Sequence, residues 1–308
     1  MKSKTSPLFM LMFSYAVYSF AVCLPDNKMG LNDWLMVISL NAVVNIVLIL
    51  LSTANKNLSG WAQNIILVYF IFLFSKQIYK MWSYLKLYHG RQNGDSIVYV
   101  TILLILIFVV YPDLNTSRFS LPLFCFTVGI FVVILLFLAG KASRYNIYMH
   151  TSAYTQNSIF SVTMFDYIIP LLFINNQKYK ISKINMIKYV FIVNIVLILA
   201  IIFIFSCFRG EYMYSISPLQ IGFQVLSSDY VRNFDGVFTF LLIFAYFASV
   251  TVIYEAIKET NHKYKYVFLL LIPIFFMLVS SLSPFGFLSV DLLILLVIIT
   301  GRCKNETY

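Results

Sequence analysis

The stretch IFSVTMFDYIIPLLFI, residues 159 to 174, decides the fold class of this chain. It is apolar almost throughout, which predicts a membrane-spanning helix, yet Asp166 lies near its middle and Pro170 follows one turn later. An ionised carboxylate in hydrocarbon costs several kcal/mol, so an acid at that depth usually faces a cavity, pairs with a cation or stays protonated. Pro170 removes a backbone donor in the same place. The stretch therefore predicts a membrane helix that carries a functional site.

The composition of the whole chain agrees with a membrane protein. Of its 308 residues, 61% are hydrophobic and 11% are charged, and the mean hydropathy is +0.86. A soluble fold of this size could not cover so much apolar surface. The formal net charge of +10 does not indicate nucleic-acid binding, because the basic residues lie in short connections between apolar runs, where they set membrane orientation. The lipid bilayer is the partner that composition predicts.

Apolar runs long enough to cross a bilayer predict about ten spans in a single membrane domain, residues 1 to 308. The run that begins at Pro7 is interpreted as the first span and not as a secretory signal, because no small-residue cleavage site follows it. The predicted spans are 7 to 25, 34 to 52, 61 to 87, 96 to 112, 119 to 139, 157 to 175, 186 to 208, 235 to 258, 266 to 283 and 286 to 300. The result is an all-α polytopic membrane protein.

The distribution of basic residues predicts the orientation. The N-terminus, the even-numbered connections and the C-terminus carry more Lys and Arg than the odd-numbered connections. Both termini are therefore expected in the cytosol. Lys76 and Lys80 lie inside span three, and we expect their long side chains to snorkel towards its outer end.

Ten spans divide into two halves of five, and an odd number of spans per half gives the halves opposite topology. The sequence thus predicts two inverted repeats, about 7 to 139 and 157 to 300, whose first helices are spans one and six. Span one contains FSYAVYSFAVCLP and span six contains FSVTMFDYIIP, so both place polar residues before a proline. We predict that helices one and six are discontinuous and enclose a substrate site. Its candidate residues are Tyr15, Ser19, Thr163, Asp166, Tyr167 and Pro170.

Other polar residues in the spans have simpler interpretations. Asn41 and Asn45 in span two and Asn194 in span seven are expected to form hydrogen bonds between helices. Glu255 lies near the cytosolic end of span eight, with Lys258 one turn later, and is expected to form a solvated helix-end pair.

The connection after span seven contains Ser217 followed by Pro218, which predicts a helix N-cap and a first-turn proline. Apolar residues then recur at helical spacing: Leu219, Phe223, Leu226 and Tyr230. They predict a short amphipathic helix, lying either on the outer surface or against the bundle, that ends at Arg232 and Asp235.

Enzyme motifs are missing from the sequence: there is no G-x-S-x-G, H-E-x-x-H, P-loop or G-x-G-x-x-G pattern. The histidines, His89, His150 and His262, lie in connections, and the four cysteines, Cys23, Cys125, Cys207 and Cys303, lack metal-ligand spacing. We therefore expect no enzymatic activity, no metal and no cofactor. A membrane glycan polymerase using Arg91, Arg144 and His150 is an alternative, although its customary large external loop is absent.

Several of these features together resemble the spore germination receptor B-subunit family, part of the amino acid, polyamine and organocation transporter superfamily. Span one ends in Leu24-Pro25, and span two begins with Asp33-Trp34. The later features follow the family order: Asp166, Pro170, the basic linker 178 to 188, Arg232, Asp235, Phe238, Phe247 and Tyr254. Residues 18 to 22 of span one stand where the superfamily has glycines at the helix break.

The resemblance implies ten helices in two inverted repeats. It also implies a receptor subunit that senses a small germinant, such as an amino acid, in the inner membrane of a spore, with A-type and C-type receptor subunits as partners. In that fold a ligand would lodge between spans one and six, with Asp166 near its ammonium group. A stand-alone amino acid permease in the cell membrane, coupled to protons or Na⁺, is the alternative that the same resemblance leaves open.

Overall fold

The structure is a computed structural model that describes residues 5–23, 29–52, 60–89, 97, 99–102, 118–149, 167–207, 217–222, 234–260, 271–282, 290–291, 293–294 and 297. In these ranges the regular elements are helices. Their bounds are α1 Thr5–Ala21, α2 Leu31–Leu51, α3 Gly60–His89, α4 Ser120–Leu138, α5 Arg144–Met149, α6 Ile168–Ile174, α7 Lys183–Ser206, α8 Phe234–Thr260 and α9 Ile272–Ser281.

Five of the described helical segments are long and apolar enough to cross a membrane: Leu31–Leu51, Gly60–Lys86, Ser120–Lys141, Lys183–Ser206 and Gly236–Thr260. They correspond to the predicted spans two, three, five, seven and eight. The segment Pro7–Ala21, in the predicted span one, is a shorter apolar helix. The predicted all-helical membrane class is confirmed. Spans four, six, nine and ten lie partly outside the described residues.

The burial pattern is that of a membrane protein. Large apolar side chains are exposed on the outer faces of the bundle, among them Val43 on α2, Leu136 on α4 and Leu199 on α7. Polar side chains such as Asn45 and Lys76 are fully buried inside. An apolar exterior around a partly polar interior suits a hydrocarbon solvent, in which polar groups must find partners within the protein.

Helix α1 lies at the centre of the bundle. Every residue from Leu11 to Phe20 is buried, and the helix contacts α4, α6, α7 and α8. Around it, α2 packs along α7, and α3 packs against both α8 and α9. Side chains on all sides of α1 are therefore available for contacts with several other spans.

The prediction that helix one is discontinuous is wrong for the described residues. Helix α1 is unbroken from Thr5 to Ala21, and the hydrogen bond from Val22 N–H to the Tyr18 carbonyl, 3.0 Å, continues it to its end. The physical reason is local: neither glycine nor proline occurs between Leu8 and Ala21, so every residue there can donate to the helix.

Helix six is described only from Tyr167 onward. Pro170 is the third residue of the described helix α6, and its i−4 hydrogen-bond position falls on a residue outside the described ones. A π-helical turn, Asn175–Tyr179, follows α6, and Lys180 then adopts a left-handed conformation with φ 53°. The Asn175 side chain accepts from Ile181 N–H at 2.9 Å and donates to its carbonyl at 3.0 Å. These bonds reverse the chain into α7. Helix six continues through Pro170 from Ile168 to Ile174, and the part of the predicted interruption at Asp166 lies outside the described residues.

The predicted N-cap at Ser217 is confirmed. Its hydroxyl oxygen accepts from Gln220 N–H at 3.4 Å, and Pro218 begins the helical residues 218 to 222. The same hydroxyl donates to the Ala21 carbonyl at 2.8 Å, at the end of α1. Because residues 217 to 222 are all buried, this segment packs against the bundle and does not lie on its surface. Phe223, Leu226, Tyr230 and Arg232 lie outside the described residues.

We expect Ser217→Ala to destabilise the protein by about 1–2 kcal/mol, because it leaves a buried carbonyl and a buried N–H without their partner. The thermal midpoint of the detergent-solubilised protein measures this effect. Ser280→Ala is the matched control, since the exposed Ser280 hydroxyl donates only to the Met277 carbonyl of its own helix. Equal midpoints for the two variants would contradict the capping role.

Candidate functional site

The candidate residues of the predicted substrate site fall into two groups. Tyr15 and Ser19 on α1 and Tyr167 and Pro170 at the start of α6 are described and buried. Thr163 and Asp166 lie outside the described residues.

Tyr15 and Tyr167 bring spans one and six together. Their rings meet edge to face, with centroids 6.3 Å apart and an interplanar angle of 63°. Both side chains are almost completely inaccessible to solvent. Ser19 lies one turn after Tyr15, on the same face of α1. The predicted meeting of the two spans is thus present at these residues.

Two serines of α1 differ from other hydroxyl-bearing residues of the bundle. Within the described helices, several hydroxyls donate to a carbonyl three or four residues earlier, as a membrane helix generally requires: Ser75, Thr101, Thr127, Ser206, Ser249 and Thr260. The hydroxyls of Ser14 and Ser19 are buried and find no partner in the described structure. Buried groups of this kind call for a ligand or a water molecule as partner.

The asparagines of span two lie beside the Tyr167 hydroxyl. The Asn45 amide donates to that hydroxyl at 2.8 Å and to Asn41 Oδ1 at 3.1 Å. The Asn194 amide donates to the Val190 carbonyl of its own helix at 2.7 Å, so its described hydrogen bond does not join two helices. The predicted role of these asparagines in hydrogen bonds between helices is confirmed for the bond from Asn45 to Tyr167.

The prediction that Lys76 snorkels is wrong. Its side chain is fully buried, and Nζ lies 3.4 Å from Asp291 Oδ2 in the predicted span ten. The Tyr69 hydroxyl donates to the other carboxylate oxygen of Asp291 at 2.9 Å. Lys76 lies near the middle of the 30-residue helix α3, too deep for its ammonium group to reach an interface.

Sequence reasoning missed Asp291, although the signal was available. An acid in the predicted span ten and a lysine in the middle of span three are both expensive in hydrocarbon unless they pair. The sequence allowed many pairings between buried polar residues, however, and only the contact between spans three and ten shows that Lys76 pairs with Asp291.

The turn of α3 that carries Lys76 joins span three to three other spans. Ser75 donates to the Ile272 carbonyl of α9 at 3.3 Å, and the Tyr18 hydroxyl of α1 donates to the Gln77 carbonyl at 2.9 Å. Together with the Lys76–Asp291 pair, these bonds connect the buried charges to the same helix that carries Ser14 and Ser19. Tyr18 also contacts the ring of Tyr246 on α8, with centroids 5.5 Å apart.

The interpretation of Glu255 as a solvated helix-end residue is also wrong. Its side chain is almost fully buried, and the Lys178 ammonium group, from the π-helical turn after α6, donates to its carboxylate. The reason is that the turn after α6 contacts α8 through Lys178, and this contact helps to bury the Glu255 carboxylate. Burial raises the pKa of the neighbouring Tyr179 hydroxyl, and the charge of Glu255 raises it further. This pair fastens the end of span six to span eight.

Metal-ligating residues do not assemble in the part of the chain that the structure describes: no three His, Cys, Asp or Glu side chains there form a cluster. The described cysteines, Cys23, Cys125 and Cys207, are not in disulfide bonds.

The fold and this buried polar interior define the class: the chain is a multi-helix integral membrane protein. No protein-family model matches the sequence, and no curated protein matches it significantly. Any narrower assignment must therefore rest on the helix contacts and the site residues themselves.

Proposed function

We propose that the chain has the fold of two inverted five-helix repeats and is the B-type subunit of a nutrient germinant receptor. The observation that carries this proposal is which helices touch. Span one contacts span six, span two contacts span seven, and span three contacts span eight. Each pair is separated by five spans, as expected when a two-fold axis in the membrane plane exchanges spans n and n + 5.

A further pair of contacts obeys the same exchange. The axis that exchanges span three with span eight also exchanges span five with span ten. Span five packs on span eight through α4 and α8, and span three bonds to span ten through Lys76 and Asp291. Each of these contacts is the counterpart of the other, which supports an inverted repeat more strongly than a count of spans does.

The chemistry of span one supports a small zwitterionic ligand. Ser14 and Ser19 present two buried hydroxyl donors, which lie about 140° apart around the unbroken helix α1. Ser19 is on the face that carries Tyr15, where a ligand carboxylate would satisfy its hydroxyl. The Tyr15–Tyr167 contact places an aromatic wall between spans one and six. Because α1 is unbroken, these side-chain donors would replace the free backbone N–H groups of a broken helix.

In the proposed mechanism, the germinant stabilises one of two arrangements of spans one and six, and the A-type and C-type subunits respond to that shift. The protein then lies in the inner membrane of the spore with both termini in the cytosol. The alternative, a stand-alone amino acid permease of the cell membrane, rests on the same helix pairing.

The first test is ligand binding by the purified full-length chain. Each common L-amino acid is added in turn, and the thermal midpoint is measured. At least one is expected to raise the midpoint, and Ser19→Ala is expected to weaken its binding by roughly 5–10-fold, the equivalent of one lost hydrogen bond. Ser249→Ala is the matched control, because the Ser249 hydroxyl already donates to the Tyr246 carbonyl.

The outcome separates the candidate functions. Binding without uptake in proteoliposomes, together with a germination response only when A-type and C-type subunits are present, is the expected result. Uptake of the labelled amino acid by this chain alone would favour the permease. No midpoint shift with any amino acid would remove amino acid sensing.

A further inference from the structure

Three consecutive residues in the middle of α3 bond to three different spans. Ser75 donates to a backbone carbonyl of α9, and Lys76 Nζ lies 3.4 Å from Asp291 Oδ2 in the predicted span ten. The Gln77 carbonyl accepts from the Tyr18 hydroxyl of α1 at 2.9 Å. Successive residues of a helix point about 100° apart, so this single turn reaches spans nine, ten and one. Of its three bonds, only the one to span ten joins two charged groups.

The counterpart of the contact between spans three and ten is held without charges. The proposed inverted repeat exchanges it with the contact between spans five and eight, where Phe126 stacks on Phe244 with ring centroids 3.9 Å apart and an interplanar angle of 12°. Beside that stack, Gly129 of span five lies close to the Leu241 side chain of span eight. Apolar packing is therefore sufficient to hold a pair of spans together at this place in the fold.

A buried ion pair is a weak way to hold two helices together. Removing two charges from water costs nearly as much as their attraction returns, unless the geometry is excellent. The 3.4 Å between Lys76 Nζ and Asp291 Oδ2 exceeds the roughly 2.7–2.9 Å of a strong charge-assisted bond. Such a pair is better suited to selecting one arrangement of two helices than to increasing their adhesion, because separated charges in hydrocarbon cannot remain unpaired.

We infer that the Lys76–Asp291 pair is an ionic lock that holds span ten against span three in one arrangement of the protein and opens in a second one. Tyr18 connects the lock to the proposed ligand site. It lies between Tyr15 and Ser19 on α1, and its hydroxyl bonds to the residue that follows Lys76. A ligand that displaces α1 therefore acts on the same turn of α3 that carries the lock.

This inference rests on the proposed function, which requires two arrangements of the spans, and it names the contact that distinguishes them. In the closed arrangement the two charges neutralise each other inside the bundle. In the open arrangement span ten moves away from span three, while the apolar contact of spans five and eight is kept.

Distances between spin labels on spans three and ten test the lock. Cysteines replace Gly60 and Leu293, two exposed residues, in full-length protein whose four native cysteines are changed to alanine. A side chain added at Gly60 meets no described atom within 4 Å. Double electron–electron resonance in lipid nanodiscs is expected to give one major distance for the intact pair. Lys76→Met combined with Asp291→Leu should raise a second distance population about fivefold or more, because the attraction that selects the closed arrangement is lost.

Three comparisons make the result specific to the lock. Lys80→Met, one turn further along α3 and only partly buried, should leave the single distance unchanged. The distance between labels at Gly60 and Gly236, on spans three and eight, should be the same in every variant. The charge-reversed protein, Lys76→Asp with Asp291→Lys, should return to one distance because the attraction is restored.

A second neutral variant guards against loss of the fold. Lys76→Gln combined with Asp291→Asn keeps polar side chains of similar size, and it should show the same second population. A single unchanged distance in both neutral double variants overturns the inference. A second population that persists in the charge-reversed protein overturns it as well, since charge would then not control the opening.

The two proposals can fail separately. If an amino acid raises the thermal midpoint but both neutral double variants keep the single distance, the lock is wrong and the receptor function stands. If the second population appears but no amino acid shifts the midpoint, the lock stands and amino acid sensing is wrong.

Discussion

Lys76→Met is expected to destabilise the protein by about 3–5 kcal/mol. The substitution removes the ammonium group that lies 3.4 Å from the buried Asp291 carboxylate, which also accepts from the Tyr69 hydroxyl. Breaking a buried pair by removing one partner is costly because an uncompensated charge remains in a medium of low dielectric constant. Thermal midpoints in detergent and resistance to unfolding by SDS measure the loss.

A double variant distinguishes the orphaned charge from lost packing. Lys76→Met combined with Asp291→Leu removes both charges and is expected to recover most of the stability, because a buried ion pair replaced by apolar residues is often nearly neutral. Lys80→Met, one turn further along α3, is the matched control, since Lys80 is only partly buried and should cost less than about 1 kcal/mol. A double variant as unstable as the single variant would show that the pair contributes through shape and not through charge.

Asp166→Asn is expected to abolish the germination response while the protein still assembles in the membrane. The substitution keeps the size of the side chain and removes the charge that the predicted span six carries at its middle. The resemblance to the germination receptor subunits implies that this charge lies near the ammonium group of the ligand or a coupling cation, and neutral Asn would bind either cation far more weakly. The fall in optical density of germinating spores measures the response, and immunoblotting of the membrane fraction measures the protein.

Asp166→Glu serves as the control, because it keeps the charge and displaces it by one methylene group. A partial response with Asp166→Glu and none with Asp166→Asn is the expected pair of results. A full response with Asp166→Asn would remove Asp166 from the mechanism.

The class of the protein was predictable because hydropathy is a local property. A run of some twenty apolar residues has few alternatives to a membrane helix, since its backbone groups must bond within the segment. The N-cap at Ser217 was predictable for the same reason: the hydroxyl bonds to an N–H only three residues away. The second bond of Ser217 could not be predicted, because its acceptor, the Ala21 carbonyl, lies 196 residues earlier in the chain.

For helix one, the break implied by the family resemblance is absent, whereas the local helix-forming preference of its residues predicts the observed structure. The resemblance implied a break among residues 18 to 22, whereas those residues include neither glycine nor proline. The local rule decided the outcome, and α1 continues to Ala21. In the proposed site, the residues of α1 would accordingly bind a ligand through their side chains.

The sequence by itself determined that this chain is a helical membrane protein, where its long helices lie and that Tyr15, Ser19 and Tyr167 belong to buried spans. The tertiary structure alone decided which polar groups meet: Lys76 with Asp291, Lys178 with Glu255, and Tyr167 with Asn45. These partners are 215, 77 and 122 residues apart. A buried charge or amide must find some partner in hydrocarbon, which sequence can predict, but only the packing of the helices places one particular partner within reach.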